Sequence, residues 1–158
     1  QGHGSAAVDT LARLAAQAPA ALPLAASLLL EAAAASGRND EARALLEGHY
    51  ERAPSLDLLE ALVALDRASD DAQRPGRERY ALHLAHEPSL VAATQWLAGE
   101  RLAHEGFHPA IQRALDQAAK PLMRYRCAAC GFEARQHFWQ CPGCQTWDSY
   151  PARRVEEL

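Results

Sequence analysis

The sequence predicts a mostly α protein: a helical repeat array followed by a small C-terminal β ribbon built around a metal. Three observations carry that prediction. Helix-ending prolines recur at Pro19, Pro54, Pro88 and Pro121, separated by 35, 34 and 33 residues. Between them, apolar residues return at helical spacing. All four cysteines, Cys127, Cys130, Cys141 and Cys144, fall in two C-x-x-C pairs near the end, with ten residues between the pairs.

Composition sets the bounds. The chain has 158 residues, 49% hydrophobic and 23% charged, as in an ordinary globular protein of one domain or a modest domain plus a satellite. The net charge is −4, and arginine supplies nearly all of the positive side. That balance argues against a general nucleic-acid binder, which shows a basic footprint. Paired cysteines with none elsewhere fit a reducing compartment in which thiols hold metal. Gln1-Gly2-His3-Gly4-Ser5 reads as the remnant of a tag and protease site and is set apart from the fold, with the natural N-terminus expected upstream. Residues 6–122 are then helical repeats and 123–158 the metal ribbon. The longest apolar run, Ala18 to Leu30, contains Pro23 and Ser27 and reads as too short to span a bilayer.

The elements follow in order. Val8, Leu11, Leu14 and Ala15 mark a helix from Val8 to Gln17, ended by Pro19. A second helix runs from about Leu22 to Ser36, with Pro23 tolerated in its first turn and Gly37 closing it. Asn39 or Asp40 caps a third, carrying Ala42, Leu45, Leu46 and His49 until Pro54. Ser55 or Asp57 starts a fourth with Leu58, Leu59, Leu62, Val63 and Leu65, followed by a polar turn from Ala68 to Gly76. Arg77 to His86 forms a fifth with Tyr80, Leu82 and Leu84. Ser89 caps a sixth through Val91, Trp96, Leu97 and Leu102 to Gly106, and Pro109 to Ala119 forms the last.

A period near 34 residues with two helices per unit is the mark of tetratricopeptide repeats. Pro54-Ser55-Leu56 and Pro88-Ser89-Leu90 repeat the same tripeptide. Ala42 and Ala110 hold the early place in the second helix of a unit where paired helices approach closely; the middle unit has Gly76 there, a departure. Aliphatic residues fill most of the consensus aromatic positions, although Phe107 fits one.

The ribbon reads Y-R-C-A-A-C-G-F-E-A-R-Q-H-F-W-Q-C-P-G-C-Q-T-W from Tyr125 to Trp147. Each C-x-x-C turn aims two thiolates at one point, and two such knuckles supply a tetrahedron of sulfur. Gly131 and Gly143 offer the positive φ such turns often need. So short a segment buries too little apolar surface to fold alone, so metal binding contributes much of its folding energy. Zinc is favoured, with a single iron the alternative that four thiolates also accept. His137 reads as a surface histidine beside a strand, the site being already full. Only Lys120 to Arg126 join the last helix to the ribbon, with no flexible linker. The ribbon is therefore expected to dock on the helices through Leu122, Met123 and Tyr125, with Trp139 or Trp147 burying a face there.

Tetratricopeptide repeats followed at once by C-x-x-C-G-F … W-x-C-P-x-C-x-x-W resemble the lipopolysaccharide assembly protein B (LapB/YciM) family of Gram-negative bacteria. The resemblance implies cytoplasmic repeats, a rubredoxin-like metal domain liganded by Cys127, Cys130, Cys141 and Cys144, and an N-terminal membrane helix beyond this sequence. It also implies a function: restraint of lipopolysaccharide synthesis at the cytoplasmic face of the inner membrane, by helping the protease FtsH degrade the deacetylase LpxC. No catalytic constellation accompanies the scattered histidines, so a non-enzymatic adaptor is expected. His83 and His86, three apart on one helix, read as a solvated or partly packed face rather than as ligands. Two other readings compete. The cysteine region is also similar to the ribbon of RadA-type DNA repair proteins, but residues 124–158 hold five arginines against four acids, too slight an excess for phosphate binding. A rubredoxin-like iron site would carry electrons, and the fused repeats speak for protein contact instead.

Overall fold

The computed structural model describes residues 2–68, 76–99 and 105–158. The described residues form seven α-helices and one two-stranded sheet, as the mostly α reading expects. They divide into two compact units, Gln1–Gly76 and Arg77–Leu158.

The first unit holds α1 (Gly2–Gln17), α2 (Leu22–Ser36), α3 (Asn39–Tyr50) and α4 (Leu56–Ala68). Helix α2 packs against α1, α3 and α4, and α3 packs on α4. Each helix presents one apolar stripe. Leu22, Ala26, Leu29 and Ala33 of α2 meet Leu58, Ala61, Leu62 and Leu65 of α4, with Ala42 and Leu46 from α3 and Val8 and Ala15 from α1. These spacings of three, four and seven are those of a helix with one buried face. The boundaries of α2 fall where the sequence places them. Gly37 takes φ +72°, and the Arg38 N–H closes on the Ala33 carbonyl at 2.9 Å, a left-handed helix end that glycine permits.

Several expectations are corrected. Helix α1 begins at Gly2, so residues 2–5 lie within the helix, and Arg38 reaches the Ser5 carbonyl and hydroxyl at 3.0 Å. Neither Asn39 nor Asp40 caps α3. Arg38 holds the N-cap position without a capping side-chain bond, and its guanidinium pairs with Asp9 at 2.7 Å and Glu41 at 2.6 Å. Asp40 and Glu41 instead stand in the first turn, where the helix dipole favours acids. Pro19–Ser36 is one unbroken helical stretch, long and apolar enough by length and composition to cross a membrane. It exceeds the apolar run seen in sequence because Pro23 sits in the first turn and small alanines continue the helix past Leu30. In this fold its stripe is the centre of the core, with Leu22, Leu29 and Ala33 fully buried.

Ser55 starts α4 as expected, accepting the Leu58 N–H at 3.3 Å. Gly76 shows why a small residue belongs at its place: a Cβ there would stand 2.9 Å from Val63 Cγ1. At the corresponding place in the last unit, Ala110 is exposed, so the close-packing reading fails there. The polar turn expected from Ala68 to Gly76 lies, between those two residues, outside the described residues.

The second unit holds most of α5 (Gly76–His86), then α6 (Leu90–Ala98), α7 (His108–Ala119), β1 (Tyr125–Arg126) and β2 (Glu133–Ala134). Ser89 caps α6, its hydroxyl accepting the Ala92 N–H at 2.9 Å. The described part of α6 stops at Ala98 with Gly99 as C-cap, short of the extent to Gly106 read from sequence; Leu102 lies outside the described residues. Glu105–Phe107 is a separate short 3-10 turn, and Phe107 is exposed. On α5 the expected apolar Leu82 is exposed, whereas Tyr80 and His83 are buried. Helices α6 and α7 pack together, and a tight turn through Lys120–Arg124 leads directly into β1.

Candidate metal centre

The ribbon is a pair of matching knuckles. In the first, the Gly131 N–H bonds the Cys127 carbonyl at 2.9 Å and the Cys127 N–H bonds Phe132 O at 3.0 Å. In the second, the Gln145 N–H bonds the Cys141 carbonyl at 2.8 Å and the Cys141 N–H bonds Thr146 O at 2.9 Å. The residue after each second cysteine is left-handed: Gly131 at φ +77° and Gln145 at φ +60°. Gly143, expected to need positive φ, does not have it. Its lack of a side chain serves space instead, since a Cβ there would lie 3.3 Å from three atoms of the Phe132 side chain.

These knuckles bring all four sequence-predicted ligands together. The Sγ atoms of Cys127, Cys130, Cys141 and Cys144 lie within 4.8 Å of one another. Cys127 and Cys144 are 3.8 Å apart, and Cys130 and Cys141 3.7 Å. A tetrahedron with metal–sulfur bonds of about 2.3 Å has edges of about 3.8 Å. A disulfide would need about 2.05 Å. The donor set therefore fits a closed tetrathiolate metal site, a length that zinc and iron share.

Electrostatics agree. Cys127 is drawn down to about 6, chiefly by its hydrogen bond with Ser149, 3.2 Å away. Cys144 is also lowered, first by Thr146 at 3.3 Å. Cys130 is pushed up to about 12: the Phe132 backbone pulls it down, but Cys144, burial and Cys127 together outweigh that pull. Thiolates this close cannot all ionise without a cation between them. Cys127, Cys130, Cys141 and Cys144 would hold a dication, which would supply that charge.

Around the sulfurs stand residues that sequence reasoning missed. Ser149 and Tyr150 are buried; the Tyr150 hydroxyl donates to Phe132 O at 3.1 Å, and Cys141 Sγ lies 4.0 Å from the same hydroxyl. The Gly143 N–H points at Cys141 Sγ at 3.4 Å. Outer contacts of this kind orient ligands and tune the metal. No cysteine-type spacing announces Ser149 or Tyr150, because they arrive by chain return, the Ala128 N–H bonding Ser149 O at 2.7 Å. His137 is half-buried rather than at the surface: its Nε2 is 3.0 Å from Tyr150 O, and its ring packs edge-on to Tyr125, Trp139 and Tyr150. His83 is buried and His86 exposed. Burial holds the His83 imidazole below its ordinary value.

The ribbon does dock on the helices, but not as expected. Trp139 and Trp147 are 60% and 65% exposed. Tyr125 is buried, with the Arg154 guanidinium 5.7 Å from its ring centre. The C-terminal segment makes the contact. The Val155 N–H bonds Arg124 O at 2.7 Å and the Glu156 N–H bonds Leu122 O at 3.3 Å. The Glu156 carboxylate then accepts the Ser89 hydroxyl at 2.7 Å, the Leu90 N–H at 2.5 Å and the Val91 N–H at 3.2 Å. The expected burial of a Trp face is corrected: so small a ribbon gathers its sulfurs with backbone turns and leaves its large rings outside.

Two matching knuckles, four sulfurs and a short antiparallel pair define a rubredoxin-like metal ribbon. Residues 125–150 match the family model of the LapB zinc ribbon, described as a rubredoxin metal binding domain. With its mostly helical body and four-cysteine site, the chain fits a LapB-like family. No curated protein matches it by sequence.

Proposed function

We propose that this chain is a non-enzymatic adaptor of the LapB type, which promotes degradation of LpxC by FtsH through protein contacts. The observation that carries the reading is the match of residues 125–150 to the LapB ribbon, on a site whose four sulfurs gather within 4.8 Å as a tetrathiolate metal site requires. A metal held by all four sulfurs would have no open place for a substrate, which supports a ribbon that acts through shape. The helices before it, packed so that α2 touches both α3 and α4, are consistent with stacked tetratricopeptide units and a partner-binding surface. The proposed metal is zinc, the usual occupant of closed tetrathiolate sites. In this reading the whole protein works at the cytoplasmic face of the inner membrane.

The test is to express the full-length protein with Cys127→Ser and Cys130→Ser in a strain lacking the natural copy, and to follow LpxC decay after blocking synthesis. Slowed decay at normal levels of the variant is expected. Normal decay would make the ribbon dispensable, and decay indifferent to deletion of the gene would remove the LapB assignment. Metal analysis of colourless protein should give one zinc per chain; red protein containing iron would overturn that choice.

A further inference from the structure

We infer that the C-terminal segment after the metal site is a strap that makes the start of α6 depend on metal occupancy, with Glu156 as its positioning residue. The inference rests on the proposed metal site but not on the proposed partners.

The strap has two ends. At one end, Ser149 and Tyr150 touch the ligand sulfurs: Ser149 Oγ is 3.2 Å from Cys127 Sγ, and the Tyr150 hydroxyl is 4.0 Å from Cys141 Sγ. Both residues are buried, so their positions follow the sulfur cluster. At the other end, the Glu156 carboxylate takes three donors at the N-terminus of α6. A helix leaves its first N–H groups without internal partners, and a carboxylate there also meets the positive end of the dipole. Ser89 alone serves only Ala92, so Leu90 and Val91 are left to Glu156. Between the ends the segment is pinned to the joint. Val155 bonds Arg124, Glu156 bonds Leu122, and the Arg154 side chain reaches Met123 O at 3.4 Å. The Glu157 carboxylate accepts the Arg154 N–H at 2.8 Å, which fixes the turn that aims Glu156.

The cap is thus supplied 65 to 67 residues away in sequence, by a segment whose own order depends on metal. Losing the metal frees Ser149 and Tyr150, slackens the strap and uncaps α6. Val91 and Met123 both line a cleft of about 490 Å³ between α6 and α7, so the strap also holds two walls of one surface.

Amide hydrogen exchange on the metal-loaded full chain tests this at the Leu90 and Val91 amides. Stripping the metal with a chelator should speed exchange there about tenfold, alongside the ribbon amides. Glu156→Ala should do the same with metal still bound, and stripping should then add little at those two amides. Glu156→Gln, which keeps an acceptor and loses the charge, should fall between. The inference is overturned if stripping opens the ribbon amides of Cys127 and Cys141 while Leu90 and Val91 stay as protected as before. It is equally overturned if Glu156→Ala leaves them protected. Failure of the chain to bind any metal would instead strike the metal site itself and is read separately, from metal content.

Discussion

The α1–α4 unit and the metal ribbon solve the same problem by opposite means. The helical unit buries leucine and alanine stripes from four helices in one continuous cluster, so each contact is one of many. The ribbon has two strands of two residues each and places its largest rings, Trp139 and Trp147, outside. Its buried centre is Cys127 and Cys141, with Ser149, Tyr125 and Tyr150 around them. One region is therefore redundant and the other hangs on a single cation. Redundant packing degrades gradually when atoms are lost, whereas a metal-nucleated fold is close to all-or-none.

The largest effect should come from attacking the cation. Cys141→Ser removes a fully buried ligand. The ribbon should lose its bound metal and its order, while α1–α4 keep their helical circular dichroism. The thermal melt should keep the helical transition and show no step from the ribbon. Wholesale loss of helix would break the comparison, because it would make the ribbon a structural cap for the entire chain.

The converse substitution comes next. Leu62 has no exposed surface and sits in the cluster between α2 and α4. Leu62→Ala should cost about 2–5 kcal/mol of helical-unit stability, from lost burial plus the cavity left behind. Metal content should stay at the wild-type value. If Leu62→Ala also empties the metal site, the two regions are coupled more tightly than their different chemistry implies.

What could be read from sequence follows the same divide. Local signals were legible. Gly37 marks the end of α2, Ser55 and Ser89 start their helices, and the paired cysteines specify the sulfur cluster. Signals that depend on chain return were not. Glu156 caps α6 across more than sixty positions, and nothing near Ser89 asks for it in the sequence. Ser149 reaches Cys127 through a backbone bond between Ala128 and Ser149, not through spacing. Trp139 and Trp147 face water although their type favours burial, because the ribbon has no interior large enough for an indole. In so thin a ribbon, an apolar ring has as much chance of facing water as the helices.

The smallest effect lies within the ribbon and sharpens its internal symmetry. The two knuckles differ at their left-handed residue: Gly131 at φ +77° in the first, Gln145 at φ +60° in the second. A side chain at positive φ costs roughly 1 kcal/mol or somewhat more. Glycine avoids that strain and adds disorder to the unfolded chain, a loss of up to about 1 kcal/mol. For Gln145→Gly the relief of strain slightly exceeds the entropy lost, so resistance to chelator should rise, by no more than about twofold. Gly131→Ala reverses both terms: it imposes the strain against a smaller gain from a stiffer unfolded chain, and open space around its Cβ means that no clash is added. Its cost should therefore be a pure backbone cost, roughly 1 kcal/mol, read as a severalfold loss of metal retention in the same chelator competition. If Gly131→Ala retains metal like wild type, the knuckle backbone is not what sets the sulfur tetrahedron. The matching bonds from Gly131 to Cys127 and from Gln145 to Cys141 would then be a consequence of metal binding rather than its preparation.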